Sequence, residues 1–235
     1  MLTKIEPRLC IGSSQFSGSS NFLSADEVVA NAMRICRKSR RYDRGSTIYD
    51  EGDRISTLFR VTEGAVRICK FRSDGQRQIE AFYLPGEFFG FDVERSCRFS
   101  AEAITNTTLQ VADVAEVLAM QTEIEGLTGA LWQIAVEDLH RSQEHILLLG
   151  CRNAQERVLA FLDEMASRLD VTSIIDLPMS RQDIADYLGM TIETVSRTLT
   201  LLVQNAEIAM PRPRSVMMKR RANCHAQGLS RPFHV

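Results

Sequence analysis

Several familiar signals are missing from this sequence. Its six cysteines lie at 10, 36, 69, 97, 151 and 224, with no C-x-x-C pair and every gap longer than twenty residues. Zinc and iron–sulfur sites usually draw ligands from close pairs, so the spacing favours free, mostly buried thiols. Cys151 is the redox candidate, because it falls near a predicted helix junction. No apolar run is long enough to cross a membrane, and the opening MLTKIEPRLC carries no apolar stretch behind its basic residue. The expectation is a cytoplasmic protein with no membrane partner. No Ser/His/Asp or Cys/His constellation, phosphate loop or H-E-x-x-H motif is found, so an enzyme is not expected. Acidic residues stop at Glu207, while Arg212, Arg214, Lys219, Arg220, Arg221 and Arg231 follow. The net charge of −2 does not announce a nucleic-acid binder. A basic end on a near-neutral body is either an electrostatic footprint for phosphate or a solvated tail.

What is present divides the chain into four parts. Residues 1–21, rich in Ser and Gly, read as a flexible tail. Residues 22–115 open on a short helix with Ser24 as its N-cap. They continue from about Arg41 to Val114 as short β-rich runs punctuated by glycine. "RSDGQ" between two alternating runs is a hairpin signal, and the even strand spacing points to a small antiparallel roll or barrel. Residues 116–150 read as one long helix. Its apolar stripe of Trp132, Val136, Leu139, Ile146 and Leu149 has no obvious cover. Either a partner's identical helix covers it in a two-fold dimer or it packs on its own domain, and the dimer is favoured. Residues 151–235 are helical again. "SIIDLPM" reads as an extended connector, and "AEIAMPRPRSVMM" as two short strands around a turn.

Within the last part, "SRQDIADYLG" carries Ser180 as N-cap with Asp183 three residues on, close to a capping box. Gly189 makes a turn, and Thr191 caps a second helix running to about Gln204. Two short helices around a Gly turn form the helix-turn-helix pattern, whose second helix enters the major groove. Glu193, Ser196 and Arg197 share one face, while Val195, Leu199 and Leu202 share the opposite one. Arginine can pair bidentately with guanine, glutamate can accept from cytosine N4, and serine can do either. Ile192 either touches a thymine methyl or packs beside Leu199. Arg181, Gln182, Thr191 and Thr194 stand near the two helix N-termini, where phosphate is favoured. One face is therefore expected to pack and the other to read double-stranded DNA.

From Leu23 to Met218 the sequence resembles the Crp/Fnr family of bacterial transcription regulators. "SRQDIADYLGMTIETVSRTL" is similar to the family's helix-turn-helix in the Glu-x-x-Ser-Arg version of the Fnr and FixK branches. "DRGSTIYDEGD", "EGAVRICKFRSDGQRQI" and "LPGEFFGF" resemble its effector domain. The resemblance implies an α+β fold: an N-terminal antiparallel β-roll of cyclic-nucleotide-binding type, a long dimerisation helix and a C-terminal winged helix-turn-helix. It also implies that Glu193, Ser196 and Arg197 read the half-sites of a TTGA-N6-TCAA palindrome, with the homodimer contacting RNA polymerase as an activator.

The departures narrow the branch. Cyclic-nucleotide binders place a glutamate after the glycine that Gly90 matches, then an Arg-Ser pair. Here Phe91 and Phe99 stand at those places, with Arg98 one residue away from the pair and Ser100 kept. Both phenylalanines are expected to fill the pocket. The N-terminal region offers only Cys10 and Cys36 for an iron–sulfur cluster. No His precedes His140, and His140 and His145 are expected to face solvent, so no haem ligand is evident. No cofactor is expected. The resemblance is thus to FixK-like regulators of microaerobic respiration and nitrogen-fixation genes, controlled through their own synthesis. The alternative is a Crp-type regulator gated by a small molecule in the roll.

Overall fold

The computed structural model describes residues 23–36, 38–91, 96–150 and 153–219. Expectations for residues 1–21, Cys10, Cys151, Cys224, Arg220, Arg221 and Arg231 lie outside them. Helix α1 (Ala25–Cys36) begins where expected. Ser24 donates from its backbone N–H to the Glu27 carboxylate at 2.8 Å, and its hydroxyl accepts from the Glu27 N–H at 3.3 Å.

Eight strands follow: β1 (Lys38–Tyr42), β2 (Thr47–Tyr49), β3 (Thr57–Glu63), β4 (Val66–Phe71), β5 (Arg77–Tyr83), β6 (Phe88–Phe89), β7 (Ser100–Ala103) and β8 (Thr107–Asp113). They form two antiparallel four-stranded sheets, ordered β1-β8-β3-β6 and β2-β7-β4-β5. Alternating inward residues close the roll around an aromatic centre, in which Phe59 and Phe89 stack with centroids 4.8 Å apart. The hairpin expected at "RSDGQ" joins β4 to β5. Gly90 leaves β6 at φ +91°, and a Cβ there would meet the Thr57 carbonyl oxygen at 2.4 Å, so only glycine fits.

The single helix expected over 116–149 is broken. A short helix α2 (Val114–Ala119) is followed by a 3-10 turn over 120–122, and α3 runs only from Leu127 to Leu149. Gly126, at φ +78°, interrupts the run in a left-handed conformation. One face of α3, with Leu127, Ala130 and Ile134, packs on α1 and the roll. Another leaves Trp132 72%, Leu139 55%, Ile146 68% and Leu147 73% exposed.

Helix α4 (Ala154–Arg168) is capped by Asn153, whose side chain accepts from the Glu156 N–H at 2.8 Å. Then come β9 (Ile175–Asp176), α5 (Arg181–Leu188), α6 (Ile192–Gln204), β10 (Ile208–Arg212) and β11 (Ser215–Met218). The last two strands pair as expected, and β11 also pairs with β9, so "SIIDLPM" contributes a strand to a three-stranded wing. The core of this region is continuous with the underside of the roll. Phe82 of β5 meets Tyr187 at 5.1 Å and Phe161 at 6.4 Å.

Candidate nucleic-acid interface

The local sequence explains how α5 and α6 come to stand as they do. The Ser180 hydroxyl accepts from the Asp183 N–H at 3.1 Å, and Asp183 Oδ2 accepts from the Ser180 N–H at 2.9 Å. The capping box is complete. Gly189 ends α5 at φ +62°, a left-handed conformation that costs a side-chain-bearing residue about 1–2 kcal/mol. Two residues later the Thr191 hydroxyl accepts from the Thr194 N–H at 3.2 Å and starts α6. Start, stop and restart thus fall within twelve residues, and α6 crosses α5 in a fixed relation.

Helix α6 divides as its sequence requires. Val195, Leu199 and Leu202 are buried in the domain core. Glu193 and Arg197 are exposed, and Ser196 is half-buried beside them. Ile192 is 36% exposed, whereas Leu199 is buried. Glu193 is fully exposed, and its carboxyl is held below the usual range by its own backbone N–H and by the Thr191 hydroxyl, with a smaller contribution from Arg197. Glu193 therefore stays charged at neutral pH.

The neighbouring groups converge on the same surface. Arg181 Nη1 donates to Ser196 Oγ at 3.3 Å, which ties α5 to the open face of α6. Gln182 Nε2 donates to Asp186 Oδ1 at 2.6 Å. Thr191 and Thr194 share a hydroxyl–hydroxyl bond at 3.1 Å at the start of α6. The structure thus gathers Arg181, Thr191, Ile192, Glu193, Thr194, Ser196 and Arg197 on one surface, with Gln182 on the adjoining turn of α5.

The residues at which the sequence departs from cyclic-nucleotide binders are partly buried in two separate clusters. Phe91 packs with the α1–α3 cluster and Phe99 with the roll interior. The Ser100 hydroxyl accepts from the Glu51 backbone N–H at 2.9 Å, and Arg98 is exposed. Arg168 of α4 reaches under the roll to Glu87 at 2.8 Å and pairs with Glu164 of its own helix at 2.7 Å. Burial alone would lower its pKa, but the two carboxylates raise it further, so it stays charged. Among the described thiols, burial pushes Cys69 up to about 11 and also raises Cys36, which makes both poor nucleophiles.

One expectation is corrected. His140 is exposed, but His145 is buried. Helical period turns position 145 toward α5, where the ring stacks on Tyr187 at 3.8 Å and its Nε2 lies 2.8 Å from the Tyr187 carbonyl oxygen. Sequence reading also missed Arg67 and Arg77 of the roll, which meet Asp183 and Asp186 of α5. No local signal marks them, since their partners lie over a hundred residues away.

Comparison with known proteins agrees with this geometry. Residues 177–206 match the family of bacterial regulatory proteins, crp family, and residues 39–122 match the cyclic nucleotide-binding domain. The nitrogen fixation regulation protein FixK of Azorhizobium caulinodans is 40% identical over 217 residues, covering 89% of this chain and 88% of that protein. The protein of the same name from Rhizobium meliloti is 42% identical over 175 residues, covering 74% and 80%. Among solved structures, FixK2 from Bradyrhizobium japonicum superposes with a TM-score of 0.73 at 39% identity, covering 78% of this chain and 93% of that one. The chain therefore belongs to the Crp/Fnr family of DNA-binding bacterial transcription regulators. Within that family it is FixK-like, and its fold is the Crp-family roll, helices and helix-turn-helix.

Proposed function

We propose that this protein is a homodimeric transcription activator that binds a TTGA-N6-TCAA-type palindrome without a small-molecule effector. The open face of α6 carries the reading: charged and polar side chains stand over a fully buried apolar back. Arg197 pairs with guanine, Glu193 accepts from cytosine N4, Ser196 adds a third contact and Ile192 meets a thymine methyl. Arg181, Gln182, Thr191 and Thr194 position the domain on phosphate. The exposed Trp132, Leu139 and Ile146 recur every seven residues on α3, a spacing that suits a parallel helix pair. A two-fold dimer on that seam sets two recognition helices about 34–36 Å apart, one turn of DNA. Activation proceeds through contact with RNA polymerase. The FixK relatives point to nitrogen-fixation genes as targets. The test is a footprint of the protein on the palindrome. Symmetric protection of both half-sites supports the reading, and protection of one half alone or none contradicts it.

A second reading has one observation in its favour. A cavity of about 600 Å³ lies between the roll and α3, lined by Leu58, Phe91, Val117, Leu118, Leu131 and Trp132. A ligand-gated regulator would fill it with an apolar effector. Thermal stabilisation by a small molecule, together with a gain in DNA affinity, would establish that reading.

A further inference from the structure

The chain holds its helix-turn-helix against the roll in two ways. The first is apolar: Phe82 packs on Phe161 and Tyr187. This packing joins the two parts over a broad apolar area. The second is directional. Arg67 of β4 lies opposite Glu102 of β7 in register, and its Nε and Nη2 donate to Glu102 Oε2 at 2.8 and 2.6 Å. That pair aims Nη1 outward at Asp183 Oδ1, 2.8 Å away. Arg77 of β5 donates from Nη2 to the same Asp183 oxygen at 2.7 Å and from Nε to Asp186 Oδ2 at 2.8 Å. The other Asp183 oxygen caps α5 through Ser180. One carboxylate therefore both starts the helix and receives two guanidinium groups from the roll. These side chains are largely buried, so salt screens them less than surface pairs. Charge-assisted bonds of this kind add geometric specificity. Meanwhile the side chains of Glu193 and Arg197 remain exposed, so the clamp grips the back of the motif and leaves its front open.

We propose that Arg67 and Arg77 are positioning residues for DNA recognition: they set the angle at which α5, and α6 with it, stands on the roll. In a dimer that angle fixes the distance between the two recognition helices. This inference rests on the proposed palindrome-binding dimer.

The test compares Arg77→Gln, and Arg67→Gln with Arg77→Gln, with the parent protein on three duplexes. These are the full palindrome, a single half-site, and a palindrome with its half-sites moved apart by one base pair. Thermal melting and sedimentation accompany each variant. The expected result is a fall of about 5- to 150-fold on the full palindrome, the usual range for coupling between sites. Half-site affinity stays unchanged and the spacing preference is lost, with Arg77→Lys recovering part of the effect. Asp186→Ala removes the Arg77 Nε bond from the other side and serves if Arg77→Gln fails to fold. Parent-like binding of the palindrome by the variants overturns the inference. So does tighter binding, which would make the contact an inhibitory latch, and so does equal loss on half-site and palindrome. A parent that does not prefer the palindrome to scrambled DNA refutes the proposed function itself. A selective parent with equally selective variants refutes only the clamp.

Discussion

Arg197 and Asp183 carry the account at the scale of single residues, one on each side of the helix pair. Arg197 is exposed on the open face of α6. Arg197→Ala is expected to cost about 1–3 kcal/mol on the specific site and to relax one base position, leaving random DNA unaffected. Competition binding against single-base variants checks this, and equal loss on specific and random DNA would remove the base-reading role. Asp183 is buried, which raises its pKa, but hydrogen bonds from Ser180 and the charges of Arg67 and Arg77 outweigh burial and hold it below its ordinary value. A carboxyl with a lowered folded pKa stabilises the protein above its unfolded value of about 3.9. That contribution is lost as pH falls through the lower folded value. Asp183→Asn should therefore lower stability at pH 7 by about 1–3 kcal/mol and flatten the acid limb of stability against pH. Denaturant melts between pH 7 and pH 3 decide it, since parallel acid limbs would mean that the Asp183 charge contributes nothing.

At the scale of elements, what the sequence revealed was set by the range of the interactions. The helix-turn-helix was legible because Ser180, Asp183, Gly189 and Thr191 act within a few residues of themselves. The hairpin at Asp74-Gly75 and the two wing strands were legible for the same reason. The break before α3 was written at Gly126, but a helical pattern on both sides hid it. The burial of His145 was not legible, because only the packing of α5 against α3 puts Tyr187 under its ring. The exposed seam of α3 makes its own prediction. Ile146→Glu should remove about 1.5–3 kcal/mol of apolar burial from each copy and set like charges together in a parallel pair. Sedimentation is expected to show a monomer. A variant that remains a dimer would move the interface away from α3.

At the scale of the whole molecule, the chain has the Crp/Fnr fold, and its own side chains tie the roll to the elements around it. Phe91 and Phe99 pack in the surrounding cores, Ser100 bonds the Glu51 backbone, and Arg168 ties α4 to Glu87 beneath the roll. On the proposed reading such a regulator binds DNA once folded, and its output follows its amount. The measurement that tests this most directly is aerobic DNA binding by purified protein with no added ligand, comparing a TTGA-N6-TCAA palindrome with scrambled DNA across a salt series. Affinity for both DNAs should fall with salt as counterions are released, while the palindrome stays favoured by about 10³-fold or more. Weak binding, or equal binding to both DNAs at every salt concentration, would contradict the account and put a missing effector in its place.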